Sequence, residues 1–346
     1  MKFVKALTYD DVLLIPQYSD IKSRKEVSLE SILGPGLDFS LPIVSSPMDT
    51  VTENEMAKAM AKAGGLGVIH RYNSIREQAE LVSLAWGSLT DTGPNNIVAA
   101  AVGVTGDFEE RATAVCDAGA KIVCIDVAHG HHSLVKEAIG RLKSVHGDKL
   151  HVMAGNVATA DGFRALESWG ADSIRIGIGN GSICSTRIKT GFGVPSLHMV
   201  LECAAVRKKA KIVSDGGIKN SGDIVKALAA GADFVMLGSL LAGTTETPCG
   251  LGMTLDGKKF KTYRGMASKE AQEEWKGSYS SDEGVSATIP FKGSVAGILH
   301  DLKKGIASGF SYAGARSLKE LQEDALFIQQ TASGFHESQT HIFSKA

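Results

Sequence analysis

The residues best suited to chemistry stand on one glycine-rich stretch, Gly177-Ile178-Gly179-Asn180-Gly181-Ser182-Ile183-Cys184-Ser185-Thr186-Arg187. Its glycines let the backbone come close to a ligand, a setting that a structural cysteine does not need. A thiol beside backbone donors and Arg187 loses its proton more readily, and the thiolate is the reactive form. Three carbonyls in such a turn could also hold a monovalent cation. The chain has five cysteines, at 116, 124, 184, 203 and 249. None forms a CxxC pair or has a paired His nearby, which argues against a disulfide framework or a zinc site. Cys116, Cys124 and Cys203 lie in apolar contexts and read as small core residues.

Other candidates stand further along. Gly216-Gly217 and Gly238-Ser239 follow two apolar runs, where backbone N–H groups can face a phosphate; the plainer reading is a pair of tight turns. Asp215 can accept two hydrogen bonds from a vicinal diol such as a ribose, or can simply cap a helix. Glu283, in SSDEG, is either a proton carrier on a mobile segment or a solvated surface acid. His129, His131 and His132 have no obvious acid partner and read as surface residues.

These residues need a frame, and apolar runs suited to strands buried on both faces supply one: 41–46, 66–70, 97–103, 121–127, 150–156, 173–177, 211–217 and 233–238. Segments of helical period separate them, including TENEMAKAMAKAG, SIREQAELVSLAW, DFEERATAVCDAG, ADGFRALESWG, PSLHMVLECAAVRKKA and NSGDIVKALAAG. Strand and helix alternate, so the sheet is parallel. KAGGLGV, DAGAKIV, SWGADSI and AAGADFV repeat one punctuation, a Gly that ends a helix before a strand begins. No G-x-G-x-x-G follows the first strand. The expectation is an α/β fold, a closed (β/α)8 TIM barrel, with its chemistry at the carboxyl ends of the strands. Residues 243–295 do not fit another unit and read as a polar flap inserted after the eighth strand.

A chain of 346 residues, 43% hydrophobic and 22% charged, is allowed as a single barrel domain spanning 1–346. Its 37 Lys and Arg nearly cancel its 38 Asp and Glu, so no broad field favours nucleic acid or an anionic membrane. No run is long enough to span a bilayer, and the expected location is cytoplasmic.

The loops closely resemble those of the family containing IMP dehydrogenase and GMP reductase, over almost the whole chain. The landmarks are LTYDDVLLIP (7–16), SSPMDTVTE (45–53), AGNV (154–157), GIGNGSICSTR (177–187), SDGG (214–217), LGS (237–239), YRGMAS (263–268) and SYAGA (311–315). The resemblance implies that Cys184 forms a covalent adduct at purine C2, with Thr186 and Glu283 moving protons. It assigns Ser182, Asp215, Gly216, Gly217, Gly238, Ser239, Tyr263, Gly265, Met266, Ala267 and Gly284 to a purine nucleoside monophosphate. It assigns Asp126, Val127, Ala128, Asn156, Ser23, Arg24, Arg71, Tyr312 and Gly314 to a nicotinamide cofactor. The carbonyls of Gly179, Gly181 and Cys184 would hold a potassium ion. A homotetramer is implied, with Ser23 and Arg24 reaching a neighbour's site.

Within the family, the dehydrogenase flap resembles S-x-D-R-Y-F, whose Arg-Tyr pair activates water. Residues 268–284, SKEAQEEWKGSYSSDEG, contain no Arg. RIKTGFG (187–193) resembles the reductase, which turns GMP and NADPH into IMP, ammonia and NADP. SSPMDTVTE, the tail TASGFHESQTHIF and Asn180, in place of the usual Pro, depart from the reductase pattern. Only residues 87–96 fill the place where a regulatory domain pair would interrupt the chain, so that pair is expected to be absent. The reading is GMP reductase. The alternatives are an IMP dehydrogenase lacking the domain pair, making XMP with NAD, and a non-catalytic purine nucleotide binder.

Overall fold

The structure is a computed structural model, and it describes residues 3–87, 97–280 and 282–340. Eight parallel strands close a barrel in sequence order. They are β1 (Ile43–Ser45), β2 (Leu66–Ile69), β3 (Ala99–Val102), β4 (Ile122–Asp126), β5 (His151–Val157), β6 (Ser173–Ile176), β7 (Lys211–Asp215) and β8 (Phe234–Leu237). β8 closes onto β1 with Val235 opposite Ile43 and Leu237 opposite Ser45. Every expected apolar run became a barrel strand. The helices that cover them are α1 (Asn54–Lys62), α2 (Ile75–Gly87), α3 (Phe108–Asp117), α4 (Ser133–His146), α5 (Ala160–Ser168), α6 (Ser196–Val206), α7 (Ser221–Ala229) and α8 (Val295–Ala313).

The strands are apolar throughout because both their faces are dry. Val44, Leu66, Val68, Ala99, Ala101, Cys124, Met153, Val213, Phe234 and Met236 form one buried cluster in the lumen. Their alternate neighbours, such as Ile43, Ile69, Val123, Ile174 and Val235, join a second cluster under the helices. This two-residue period is what the pleat of a strand dictates. A hairpin of Ser31–Gly34 and Leu37–Phe39 caps the amino-terminal end of the lumen, its Phe39 meeting Phe234 edge-on at 5.5 Å. Nearby, buried His151 bonds Ser173 Oγ at 2.8 Å, and burial pushes its imidazole well below its ordinary range.

The opposite rim is left open for the loops. Two features brace it from outside the barrel. The strand Val12–Leu14 pairs antiparallel with Phe327–Gln329, joining the two ends of the chain, and Tyr9, fully buried, bonds Ser214 Oγ at 2.8 Å. After β8, the stretch read as a flap folds into a three-stranded antiparallel sheet, Gly252–Met253, Lys259–Arg264 and Ser286–Pro290, with a helix at Lys269–Lys276. Of the short connection at 87–96, residues 88–96 lie outside the described residues. Among the described residues no helix is long and apolar enough to cross a membrane.

Candidate active site

A cavity of about 490 Å³ opens at the carboxyl ends of the strands. One wall is the glycine-rich loop between β6 and α6, and half-buried Cys184 faces the cavity from it. Cys184 Sγ donates to Thr186 Oγ1 at 3.1 Å, and Thr186 Oγ1 donates to Glu283 Oε2 at 2.9 Å. A thiol, a hydroxyl and a carboxylate thus stand in line, a geometry in which a proton can pass between cavity and carboxylate. Glu283 lies 97 residues from Thr186 and reaches it through backbone pairing. Ser185 N donates to Glu283 O at 3.0 Å, Val285 N to Ile183 O at 3.0 Å, and Glu283 N to Ala267 O at 3.1 Å. Glu283 is therefore not a solvated surface acid.

Arg187 does not occupy the place expected for it beside the thiol. Its stem packs against Gly179 and Gly193, and Nη2 donates to Val194 O at 2.8 Å, so the polar neighbour of the thiol is Thr186. The remaining cysteines are held as thiols. Burial pushes Cys116 and Cys124 up to about 11 and Cys203 up to about 12, and it also raises Cys249.

Across the cavity, Gly216 and Gly217 have φ of 86° and 76°, in the region that disfavours a side chain. A Cβ on Gly216 would sit 3.2 Å from Gly181 N, so the two glycine loops are in direct contact. Gly238 and Ser239 lie beside them; a Cβ on Gly238 would come 2.9 Å from Tyr263 Oη. Burial raises the Tyr263 phenol, while a hydrogen bond with Ser182 partly opposes the shift.

Asp215 does not cap α7, which begins instead at Asn220, whose side chain accepts from Asp223 N at 2.9 Å. Asp215 Oδ2 takes hydrogen bonds from Arg175 Nη2 at 2.9 Å and Asn156 Nδ2 at 2.9 Å. The same Arg175 donates from Nη1 to Asp126 Oδ1 at 2.7 Å. This guanidinium is 5% exposed and answers two carboxylates at once, which is how a charge is tolerated in a barrel lumen. Arg71 closes the far side, its Nη2 on Asp126 O at 3.1 Å. Sequence reasoning passed over Arg175, although a charged residue inside the run SIRIG was the available signal.

The cavity brings together most of the residues singled out from the sequence, including Asp126, Val127, Ala128, Asn156, Ser182, Gly265, Met266, Ala267 and Gly284. Ser23, Arg24, Tyr312 and Gly314 are not among them. Arg24 bonds Ser308 on the solvent side of α8, Tyr312 is 65% exposed there, and Gly314 ends that helix against Tyr18. In one chain these four stand outside the barrel wall. His132 accepts from Leu134 N at 3.1 Å as a helix cap, and His129 and His131 are exposed. A second cavity of about 530 Å³ lies behind the flap helix, lined by Asp49, Glu53, His70, Glu77, Glu80 and Glu274 among others, and has neither a thiol nor a glycine loop.

A closed parallel barrel with a thiol, a hydroxyl and a carboxylate aligned at its open rim is the architecture of a (β/α)8-barrel enzyme. Residues 6–341 match the family described as IMP dehydrogenase / GMP reductase domain, and the chain belongs to that family of oxidoreductases, which use nicotinamide nucleotides. The chain is 34% identical over 473 aligned positions to inosine-5'-monophosphate dehydrogenase of Nitrosopumilus maritimus, covering 99% of each. It is also 34% identical over 481 positions to GMP reductase of Leishmania major, covering 99% of this chain and 98% of that one. Both alignments are longer than this chain, so both relatives carry stretches with no counterpart here. Among solved structures, a cysteine-to-alanine variant of GMP reductase from Trypanosoma brucei, in complex with guanosine 5'-monophosphate, superposes with a TM-score of 0.91 at 32% identity over 99% of each chain.

Proposed function

We propose that the protein is a GMP reductase, converting GMP, NADPH and protons into IMP, NADP and ammonium through Cys184. The observation that carries this reading is the Cys184–Thr186–Glu283 relay on a flap whose residues 268–284 contain no Arg. In the proposed sequence the Cys184 thiolate attacks C2 of the guanine ring. Glu283, through Thr186, delivers a proton to the 2-amino group, which leaves as ammonia and leaves C2 bonded to sulfur. NADPH, when bound, supplies the hydride that C2 takes up as the carbon–sulfur bond breaks. Without an arginine to activate water, hydrolysis of the sulfur-bound purine to XMP is disfavoured. Chain length does not bear on the choice, because a dehydrogenase relative and a GMP reductase relative both exceed this chain in aligned length.

In this reading Gly216, Gly217, Gly238, Ser239 and Ser182 receive the phosphate, and Asp215 receives the ribose hydroxyls. Tyr263, Gly265, Met266, Ala267 and Gly284 line the base. The nicotinamide side fits Asp126, Val127, Ala128, Arg71 and Asn156. There the buried Asn156 Oδ1 has no hydrogen-bond partner and is free to accept from a carboxamide N–H. Carbonyls of Gly179, Gly181 and Cys184 fit a potassium ion, a weakly hydrated cation that main-chain oxygens suit. Gly181 O accepts Cys184 N at 3.1 Å and keeps a second lone pair for it. Ser23, Arg24, Tyr312 and Gly314 would meet the cofactor of a neighbouring copy in a tetramer.

The deciding assay offers purified protein GMP with NADPH and, separately, IMP with NAD. Consumption of NADPH with GMP is expected. Reduction of NAD with IMP would make the protein a dehydrogenase, and binding without an adduct at Cys184 by mass spectrometry would make it a nucleotide binder. Cys184→Ala should bind GMP without turnover.

A further inference from the structure

Asn180 lies on the thiol loop, and its side chain ties that loop to the helix that follows it. Its Nδ2 donates to Ser196 Oγ at 2.9 Å, and Ser196 is the first residue of α6 and 3% exposed. Gly217 lies directly over this pair. A Cβ there would overlap Ser196 Oγ and stand 3.5 Å from Asn180 Cβ. The thiol loop, the start of α6 and the phosphate-side glycines therefore meet at one hydrogen bond, and any shift of Asn180 or Ser196 is passed to Gly217.

The pair also has unused capacity. Asn180 Oδ1 is buried and has no hydrogen-bond partner. Turning the amide over lets its oxygen accept the Ser196 hydroxyl proton and puts its NH2 where Oδ1 was. A buried donor at that place favours an anion, and Asn180 lines the cavity next to the two glycine pairs. We propose that Asn180 and Ser196 are a positioning pair that fixes Gly216 and Gly217 against the thiol loop, so that this chain grips the phosphate group of its nucleotide through a link of its own. The inference rests on the nucleotide reading above and is independent of which base reaction the enzyme runs.

Titration calorimetry of the full chain with GMP, and with guanosine, which lacks the phosphate, tests it. Asn180→Ala and Ser196→Ala should each weaken GMP binding about fivefold, the worth of one neutral hydrogen bond, and leave guanosine binding unchanged. The double variant should be no weaker than either single one, since both remove the same link. Asn180→Asp keeps an acceptor for Ser196 but sets a carboxylate near the phosphate, so it should lose more GMP affinity than Asn180→Ala. Equal losses for GMP and guanosine, additive losses, or wild-type behaviour of Asn180→Asp would each overturn the pairing while leaving the enzyme's assignment intact. A wild-type protein that binds neither ligand overturns both.

Discussion

At the scale of single residues, the site depends on how one thiol differs from four others. Burial holds Cys116, Cys124, Cys203 and Cys249 in their protonated, unreactive form at neutral pH, whereas Cys184 faces an open cavity next to a hydroxyl. Iodoacetamide at pH 8 should therefore label Cys184 first, and GMP should protect it. Peptide mapping reads this directly, and earlier labelling of any other cysteine would count against the site. Glu283→Gln removes the carboxylate end of the relay while keeping its shape. It should lower kcat by about 10²- to 10⁴-fold with little change in GMP affinity, which steady-state kinetics and titration together would show. Cys184 was legible from its glycine-rich neighbours alone. The partnership of Thr186 with Glu283 was not legible in that way, because 97 residues separate them and no periodicity links the two; the resemblance to the family alone put them together.

At the scale of elements, the barrel was legible because its strands are dry on both faces and its helices carry regular glycine stops. The same logic could not find the Ser31–Gly34 hairpin or the pairing of Val12–Leu14 with Phe327–Gln329. These strands are three or four residues long, too short to show a pattern. The flap read only as polar sequence, and its internal order comes from tertiary contacts. Trp275 stacks on Tyr72 at 5.7 Å with planes 12° apart, and the Arg111 guanidinium lies 5.9 Å from its ring. Tyr72 Oη in turn donates to Met266 O at 2.8 Å. This stack ties the flap helix to the rim on the side of Arg71 and Asp126. Trp275→Ala should raise KM for the dinucleotide several-fold, with Trp275→Phe restoring most of it, because an aromatic pair contributes about 0.5–1.5 kcal/mol beyond its area. An unchanged KM in the alanine variant would show that the stack plays no part in holding the cofactor side.

At the scale of the whole molecule, the two ends of the barrel have separate duties. The amino-terminal end is closed by apolar packing, and its sensitivity to acid follows from His151. The folded state holds that imidazole neutral by burial, so between about pH 4 and pH 6.5 it binds fewer protons than the unfolded chain. Its contribution is complete above about pH 6.5 and is lost as the solution grows more acid, by up to about 3 kcal/mol. His151→Gln should flatten the fall in melting temperature between pH 7 and pH 5, and a variant that loses stability as steeply as the parent would place the acid lability elsewhere. The carboxyl-terminal end holds the polar groups, and there Arg175 joins Asp126 to Asp215. A positive charge shared in this way makes the two halves of the mouth one electrical circuit. A shift of either carboxylate changes how firmly the guanidinium holds the other, so a disturbance on one side of the mouth is felt on its far side.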